Sequence, residues 1–292
     1  MIDKVTPSVS FEFFPPNNIK MESTLWKTVK RLETLEPKFV SITYGADGSS
    51  QERTHSIVSK IINETQLTPA PHLTCINATR DEIDEIALTY WDMGIRHLVA
   101  LRGDAPKGSK SYTKNPKGYA FASDLVTGLT KIANFDIYVA AYPEVHPEAK
   151  DALFDLDNLK RKLDAGATKA ITQFFFDSDQ YLRFRDRCGQ AGIDSKIIPG
   201  ILPIIRFEQM ERFAKICGTK IPKKLRDQFE NSDRDQENQR LISTSTAIEQ
   251  VKYLESQGIE DFHFYTLNRS EIPFAACQAL GIRKNSKKIG NA

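Results

Sequence analysis

Residues 9–16 read Val-Ser-Phe-Glu-Phe-Phe-Pro-Pro, an apolar strand pattern that ends in two prolines. A doubly wound α/β sheet that binds a dinucleotide has a glycine-rich turn after its first strand. The prolines stand in the place of that turn, so they argue against a doubly wound sheet. The stretch also contains one carboxylate, Glu12, between aromatic neighbours.

Seven further strand-like runs follow, and helical patterns separate most of them. The eight runs are residues 9–14, 39–44, 71–76, 97–102, 137–142, 170–175, 197–202 and 262–267. Regular alternation of strands and helices predicts parallel strands, and eight such units in 292 residues are typical of a closed (β/α)8 TIM barrel. We therefore predict this α/β fold, with an extra helical segment in residues 203–261 before the last strand.

The chain shows no linker or low-complexity segment, which favours a single catalytic barrel domain over residues 1–292. The basic C-terminal tail, residues 283–292, is predicted to be flexible. Forty Lys and Arg against 38 Asp and Glu leave a net charge of +2, which is too small to indicate a nucleic-acid or anionic membrane partner.

Localisation follows from what the sequence does not contain. The longest uncharged apolar run, residues 197–205, includes two prolines and a glycine, so it does not predict a membrane span. The first residues lack the pattern of a secretory signal. Four separate cysteines indicate reduced thiols rather than a disulfide framework or a metal site, and a cytoplasmic protein is expected.

Polar residues occupy the ends of seven of the eight predicted strands. They are Glu12, Thr43, His72, Arg102-Gly103-Asp104, Tyr142, Gln173 and Asn268-Arg269. In (β/α)8 barrels the catalytic groups come from these strand ends and from the loops after them. We therefore expect the active site at this end of the barrel.

Three of these features each allow two interpretations. If Glu12 points inward, burial raises its pKa and suits it to be a general acid; otherwise it faces outward or pairs with a buried cation. Gly103 permits close approach of a ligand, or Arg102 and Asp104 simply close a turn. Asp155, Asn158 and Lys162 share one helix face, which holds a phosphate-bearing ligand or is only solvated.

Several longer motifs, in the right order, resemble the methylenetetrahydrofolate reductase family. These are residues 10–16 (SFEFFPP), 71–75 (PHLTC), 101–104 (LRGD), 141–148 (AYPEVHPE), 173–177 (QFFFD), 199–203 (PGILP) and 262–269 (FHFYTLNR). The likeness runs from about Val9 to Leu280 and is poorest between Ala105 and Tyr119, where the sequence predicts a long loop.

The resemblance implies a flavin-containing barrel that reduces 5,10-methylenetetrahydrofolate to 5-methyltetrahydrofolate. NADH or NADPH is the co-substrate, FAD is bound non-covalently and the kinetics are ping-pong. The product supplies one-carbon units for methionine synthesis, and bacterial relatives suggest a homotetramer.

The resemblance also implies roles for single residues. Glu12 matches the general acid, and Asp104 matches a carboxylate near both the flavin and the pterin. Other positions match folate contacts: Gln173, Gln209, the covering aromatic Phe213, and Arg269 at the benzoyl-glutamate. The implied FAD contacts are Thr43, His72, Arg102, Gly103, Asp104, Ala122, Tyr142, His146, Ala149, Asp155, Asn158, Arg161 and Lys162.

Two other functions remain open at this point. One is a different flavin-dependent barrel oxidoreductase, of the proline or amine dehydrogenase type. The other is a flavin- or folate-binding protein without catalytic activity.

Overall fold

A computed structural model describes residues 6–44, 51–104, 112–194, 196–204, 206–232 and 235–283. Its strands are β1 (Ser8–Phe13), β2 (Phe39–Ile42), β3 (Pro69–Thr74), β4 (His97–Leu101), β5 (Asp136–Ala141), β6 (Lys169–Thr172), β7 (Lys196–Ile198), β8 (Gly200–Ile201) and β9 (Asp261–Tyr265). Its helices are α1 (Ile19–Glu33), α2 (Gln51–Glu64), α3 (Arg80–Asp92), α4 (Ala122–Ile132), α5 (Ala152–Asp164), α6 (Ser178–Gln190), α7 (Phe207–Cys217), α8 (Lys223–Glu230), α9 (Gln236–Ser256) and α10 (Glu271–Ala279).

The strands are all parallel and form one sheet in the order β7-β6-β5-β4-β3-β2-β1-β9-β8. The segments β7 and β8 belong to one bent strand, because only Pro199 separates them. Since β7 pairs with β6 and β8 pairs with β9, this bent strand joins the two edges of the sheet. The predicted TIM-barrel fold is confirmed, with the seventh predicted strand present in two pieces.

Gly200 allows the two edges to meet. A Cβ atom at this position would lie 2.2 Å from the Thr172 carbonyl oxygen and 2.5 Å from the Tyr265 ring. The Tyr265 hydroxyl donates a hydrogen bond of 2.7 Å to the same carbonyl. A side chain at position 200 would therefore push β6 and β9 apart.

The barrel interior is packed rather than open. Six residues from six successive strands form one buried apolar cluster: Phe39, Ala70, Val99, Tyr138, Ile171 and Ile198. The alternate positions of β1, Val9, Phe11 and Phe13, instead pack in the larger cluster with residues of the surrounding helices. The apolar interior separates two polar ends, here named the barrel mouth (the C-terminal strand ends) and the barrel floor (the N-terminal strand ends).

Three helices, α7, α8 and α9, precede β9, as the extra helical segment predicted. Several strands end one to three residues earlier than predicted, so Tyr142 and Gln173 begin loops instead of ending strands. In the described part of the chain, no helix has the length and apolar character needed to cross a membrane. Residues 284–292 of the predicted tail lie outside the described residues, as do residues 105–111 of the predicted long loop.

Candidate active site

Glu12 points into the barrel mouth. Its neighbours Phe11 and Phe13 are buried on the helix side of β1, which turns Glu12 to the interior. The Glu12 Oε2 atom lies 3.3 Å from His72 Nε2 on β3 and 3.8 Å from His263 Nε2 on β9. Both imidazoles are buried, so the carboxylate faces two ring nitrogens that water hardly reaches.

The two histidines decide the charge of Glu12. Burial acts to raise its pKa, but hydrogen bonds and charge from His263 and His72 outweigh burial and lower the pKa to about 2. The expectation that an inward Glu12 has a raised pKa is therefore wrong for the ligand-free site. Pairing with buried basic groups, the other interpretation, describes its surroundings.

His263 is also bound on its other side. Its Nδ1 atom lies 2.8 Å from the Ser10 hydroxyl oxygen, and both residues are buried. When Nε2 carries the ring proton and faces the Glu12 carboxylate, Nδ1 accepts a hydrogen bond from Ser10, so Ser10 orients the ring that faces Glu12. Burial lowers the pKa of His263, and Glu12 partly offsets this effect.

The sequence analysis assigned no role to Ser10 or His263. The signal that could have found them is the barrel itself, because a closed barrel pairs its first and last strands. In the structure, β1 and β9 are in register with Ser10 opposite His263 and Glu12 opposite Tyr265.

The end of β4 brings a glycine and an arginine to the mouth. Gly103 has φ +90°, and a Cβ atom there would lie 2.5 Å from Ile76 Cγ2. Arg102 donates to both carboxylate oxygens of Glu148, at 2.7 and 3.2 Å, and not to Asp104. The interpretation of Arg102 and Asp104 as a turn-closing pair is therefore wrong, and Asp104 is exposed.

Beside β4, the loop after β5 packs against α5. The Asp155 carboxylate accepts a hydrogen bond of 2.9 Å from the His146 backbone N–H. The His146 ring lies edge-on to Tyr142, with centroids 4.6 Å apart. Lys162 lies close enough to His146 and Asp155 to act on them by its charge, and we name these residues with Tyr142 the Lys162 cluster.

Lys162 is a buried cation, with only 7% of its surface exposed. Its Nζ donates to the Ala140 carbonyl oxygen at 2.5 Å, and among the described residues it has no carboxylate within ion-pair distance. Burial lowers its pKa to about 8, although the charge of Asp155 acts in the opposite direction. A buried cation without a counter-ion fits an anionic group such as a pyrophosphate, so the solvated-face interpretation does not describe Lys162.

The remaining predicted cofactor contacts lie after β2, at the start of α4, and before or on α5. Thr43 follows β2 and donates its backbone N–H to the Phe13 carbonyl oxygen at 2.9 Å. Ala122 is the first residue of α4, Ala149 precedes α5, and Asn158 and Arg161 lie on α5. Arg161 is exposed and pairs with Asp157 at 3.3 Å.

The predicted substrate residues lie on three elements. Gln173 follows β6, and its side-chain oxygen accepts the Phe174 N–H at 3.0 Å. Gln209 and Phe213 are four residues apart on α7 and so share one face of that helix. Arg269 is exposed after Leu267 and Asn268, two residues in the left-handed region with φ 49° and 55°.

Asn268 fixes that strained turn to the first strand. Its side-chain oxygen accepts the Phe14 N–H at 3.1 Å, and its amide donates to the Phe14 carbonyl at 2.9 Å. This pairing holds the loop that carries Arg269 against the end of β1.

The family model for methylenetetrahydrofolate reductase matches residues 1–281. The 5,10-methylenetetrahydrofolate reductase of Escherichia coli K12 is 56% identical over 276 residues, which cover 94% of this chain and 91% of that protein. The chain belongs to the methylenetetrahydrofolate reductase family. Its relatives are named as reductases, which are oxidoreductases, and they include a plant member, methylenetetrahydrofolate reductase (NADH) 1 of Arabidopsis thaliana. That protein is 37% identical, over 95% of this chain and 49% of its own length.

A solved structure outside close sequence similarity has the same fold. It is a protein from Clostridium thermocellum, described as binding two copies of 5-methyl-5,6,7,8-tetrahydrofolic acid. The TM-score is 0.60 with 15% identity, and the match covers 96% of each chain.

Proposed function

We propose that this chain reduces 5,10-methylenetetrahydrofolate to 5-methyltetrahydrofolate, with non-covalently bound FAD and with NADH or NADPH as the hydride donor. Family membership supports the reaction. The observation that carries the proposal is the Glu12 carboxylate, held between two buried imidazoles inside the barrel mouth.

The chemistry of the substrate explains this arrangement. The five-membered ring of the folate must open to an iminium cation before it can accept hydride, and protonation of the departing nitrogen drives the opening. Glu12 Oε2 is the atom through which this proton passes. His72 and His263 stabilise the carboxylate once the proton has left, and Ser10 fixes the orientation of His263.

A lowered pKa in the ligand-free site is compatible with this role. Bound folate would exclude water from Glu12 and so increase its desolvation. Desolvation already acts to raise the pKa of Glu12. With its pKa raised in the folate complex, Glu12 would take up a proton from solvent and deliver that proton to the departing nitrogen.

The Lys162 cluster supports FAD as the cofactor. Lys162 and the other implied contacts along α5 would hold the pyrophosphate, and Gly103 would lie beside the ring system. FAD, when bound, accepts hydride from NADH or NADPH and passes it to the folate. Asp104 would stabilise the iminium cation by its charge.

Gln173, Gln209, Phe213 and Arg269 would bind the folate. The similar barrel from Clostridium thermocellum, described with 5-methyltetrahydrofolic acid, supports this fold as one able to hold a folate. If the donor and the folate use the same side of the cofactor in turn, the kinetics are ping-pong. All four cysteines are free, which is in keeping with a reducing cytoplasm, and we propose a homotetramer that supplies methyl groups for methionine synthesis.

The visible spectrum of the purified chain tests the proposal. We expect a yellow protein, or one that becomes yellow on reconstitution with FAD, that bleaches anaerobically with NADH or NADPH and regains colour with methylenetetrahydrofolate. A colourless protein that does not gain FAD contradicts it. A yellow protein that fails to bleach, or bleaches and ignores the folate, would be another flavoprotein.

A further inference from the structure

The 112–121 segment, which precedes α4, is firmly attached to α3. The Arg80 backbone N–H donates to the Lys117 carbonyl at 3.0 Å, and the Tyr119 hydroxyl donates to Asp84 at 2.8 Å.

Packing against α4 fixes the same segment. The Tyr119 hydroxyl occupies the space beside Gly128, where a Cβ atom would lie only 2.1 Å from it. Gly118 likewise has no room for a side chain, because a Cβ atom would lie 2.3 Å from the Ala78 carbonyl oxygen. The segment is therefore held in place by packing against α4 and by hydrogen bonds to α3.

The side chain of Tyr112, in this segment, lies against Arg102 at the barrel mouth. The Tyr112 hydroxyl donates to the Ala120 carbonyl, and its ring contacts Phe121 with centroids 6.2 Å apart. The Arg102 guanidinium carbon lies 4.7 Å from the centroid of the same ring. Tyr112 thus supports a face of the arginine that follows β4.

Arg102 is held on its edges as well. Its Nε donates to the Gly103 carbonyl at 3.1 Å, and Glu148 takes one N–H from each terminal nitrogen. A guanidinium has five N–H groups, so two of those of Arg102 have no acceptor among the described residues and are available to a ligand. Holding a long side chain before binding removes part of the entropy that a ligand must otherwise overcome.

We propose that Tyr112 is a positioning residue for cofactor binding, which orients Arg102 so that its two remaining N–H groups face the phosphate-bearing cofactor. The inference rests on the proposed function, since it takes FAD as the ligand. Tyr112 acts through Arg102 and need not touch the cofactor.

Titration of the apoprotein with FAD, followed by quenching of flavin fluorescence, measures the effect. Tyr112→Leu removes the ring and should raise the Kd about three- to tenfold, the range of a half-exposed cation–aromatic contact. Tyr112→Phe keeps the ring and should stay within about twofold of the original chain. Tyr253→Leu, which removes an exposed tyrosine of α9 that binds Asp179, is the matched control and should leave the Kd unchanged.

A double-variant cycle separates positioning from a merely structural role. In an Arg102→Leu background, Tyr112→Leu should no longer change the Kd, and the urea midpoint of the apoprotein should not follow the Kd. Equal effects of Tyr112→Leu with and without Arg102, or no effect at all, overturn the inference while the proposed function stands. An original chain that does not bind FAD overturns both.

Discussion

The two ends of the barrel differ in how their buried charged groups are paired. At the barrel floor, the Asp136 carboxylate lies 3.2 Å from His97 Nδ1 and 3.5 Å from Lys169 Nζ. Asp261 is paired with Lys196 and, at 3.9 Å, with Lys38. At the barrel mouth, Lys162 has no carboxylate partner within the described residues, and Glu12 faces only imidazoles.

This difference separates stability from function. Loss of one member of a buried ion pair leaves the other charge without a partner and so raises the free energy of the folded chain. A buried cation without a counter-ion raises that free energy and is available to an anionic ligand. Substitutions at the floor should therefore affect folding, and substitutions at the mouth should affect ligands.

Lys162→Met should give the largest difference between the effect on ligand binding and the effect on folding. The FAD Kd should rise at least about tenfold, the value of a charge-assisted hydrogen bond, when measured by fluorescence titration. Lys160→Met on the same helix removes an exposed lysine that pairs with Asp164, and it should leave the Kd unchanged. Equal loss of FAD binding in both variants would contradict a specific role of Lys162.

The same variant should fold more stably without cofactor, by about 3 kcal/mol near pH 7, because the charge of Lys162 is lost. The folded pKa of Lys162 is about 8, below its usual 10.5, so the cost of its charge is complete below pH 8. It disappears as the pH rises through the unfolded pKa. Urea unfolding of the two apoproteins should show this difference shrink between pH 8 and pH 10.5, and a constant difference would contradict it.

Asp136→Asn tests the barrel floor and should act on folding alone. Removal of this paired, partly buried carboxylate should lower the free energy of unfolding by about 1–3 kcal/mol, with the FAD Kd unchanged. Hydrogen bonding from His97 lowers the pKa of Asp136, so its contribution is present above about pH 4 and is lost as the pH falls from there. Asp164→Asn, at an exposed pair, is the control for urea unfolding.

Asp104→Asn should produce the smallest effect, because Asp104 is exposed. If FAD binds where we propose, loss of the negative charge of Asp104 should raise the reduction potential of the flavin by about 20 mV, which corresponds to about 1 kcal/mol for a two-electron couple. Folate reduction should slow, and reduction by NADH should be affected less. An unchanged potential by dye equilibration would mean that Asp104 does not act on the flavin.

The barrel and the position of its mouth were predictable from local patterns. Strand runs such as residues 9–14 depend on neighbours in the chain, and the structure contains a strand there, Ser8–Phe13. The bend at Pro199 was missed because an apolar run does not show where pairing changes from β6 to β9.

The charge state of Glu12 was not predictable in the same way. It depends on His72 and His263, which are 60 and 251 residues away in the chain and come together only when the barrel closes. The partners of Arg102 are also distant, since Glu148 lies in the loop after β5. The local sequence pattern predicts which residues lie at the barrel mouth, whereas closure of the barrel determines which residues they contact.

Glu12 is proposed to deliver the proton for opening the folate ring, and reduction of the flavin by NADH does not need this proton. Glu12→Gln keeps the shape of the side chain but cannot deliver a proton. Glu144→Gln is the matched control. Glu144 is half-buried, its carboxylate accepts a hydrogen bond from the Lys220 backbone N–H, and it lies outside the histidine cluster around Glu12.

Stopped-flow absorbance of the flavin measures the two half-reactions separately in these variants. We predict that Glu12→Gln still bleaches with NADH at close to the original rate, while reoxidation by methylenetetrahydrofolate falls at least about a hundredfold. Glu144→Gln should change neither rate. Equal slowing of both half-reactions in Glu12→Gln, or no change in reoxidation, would contradict the account.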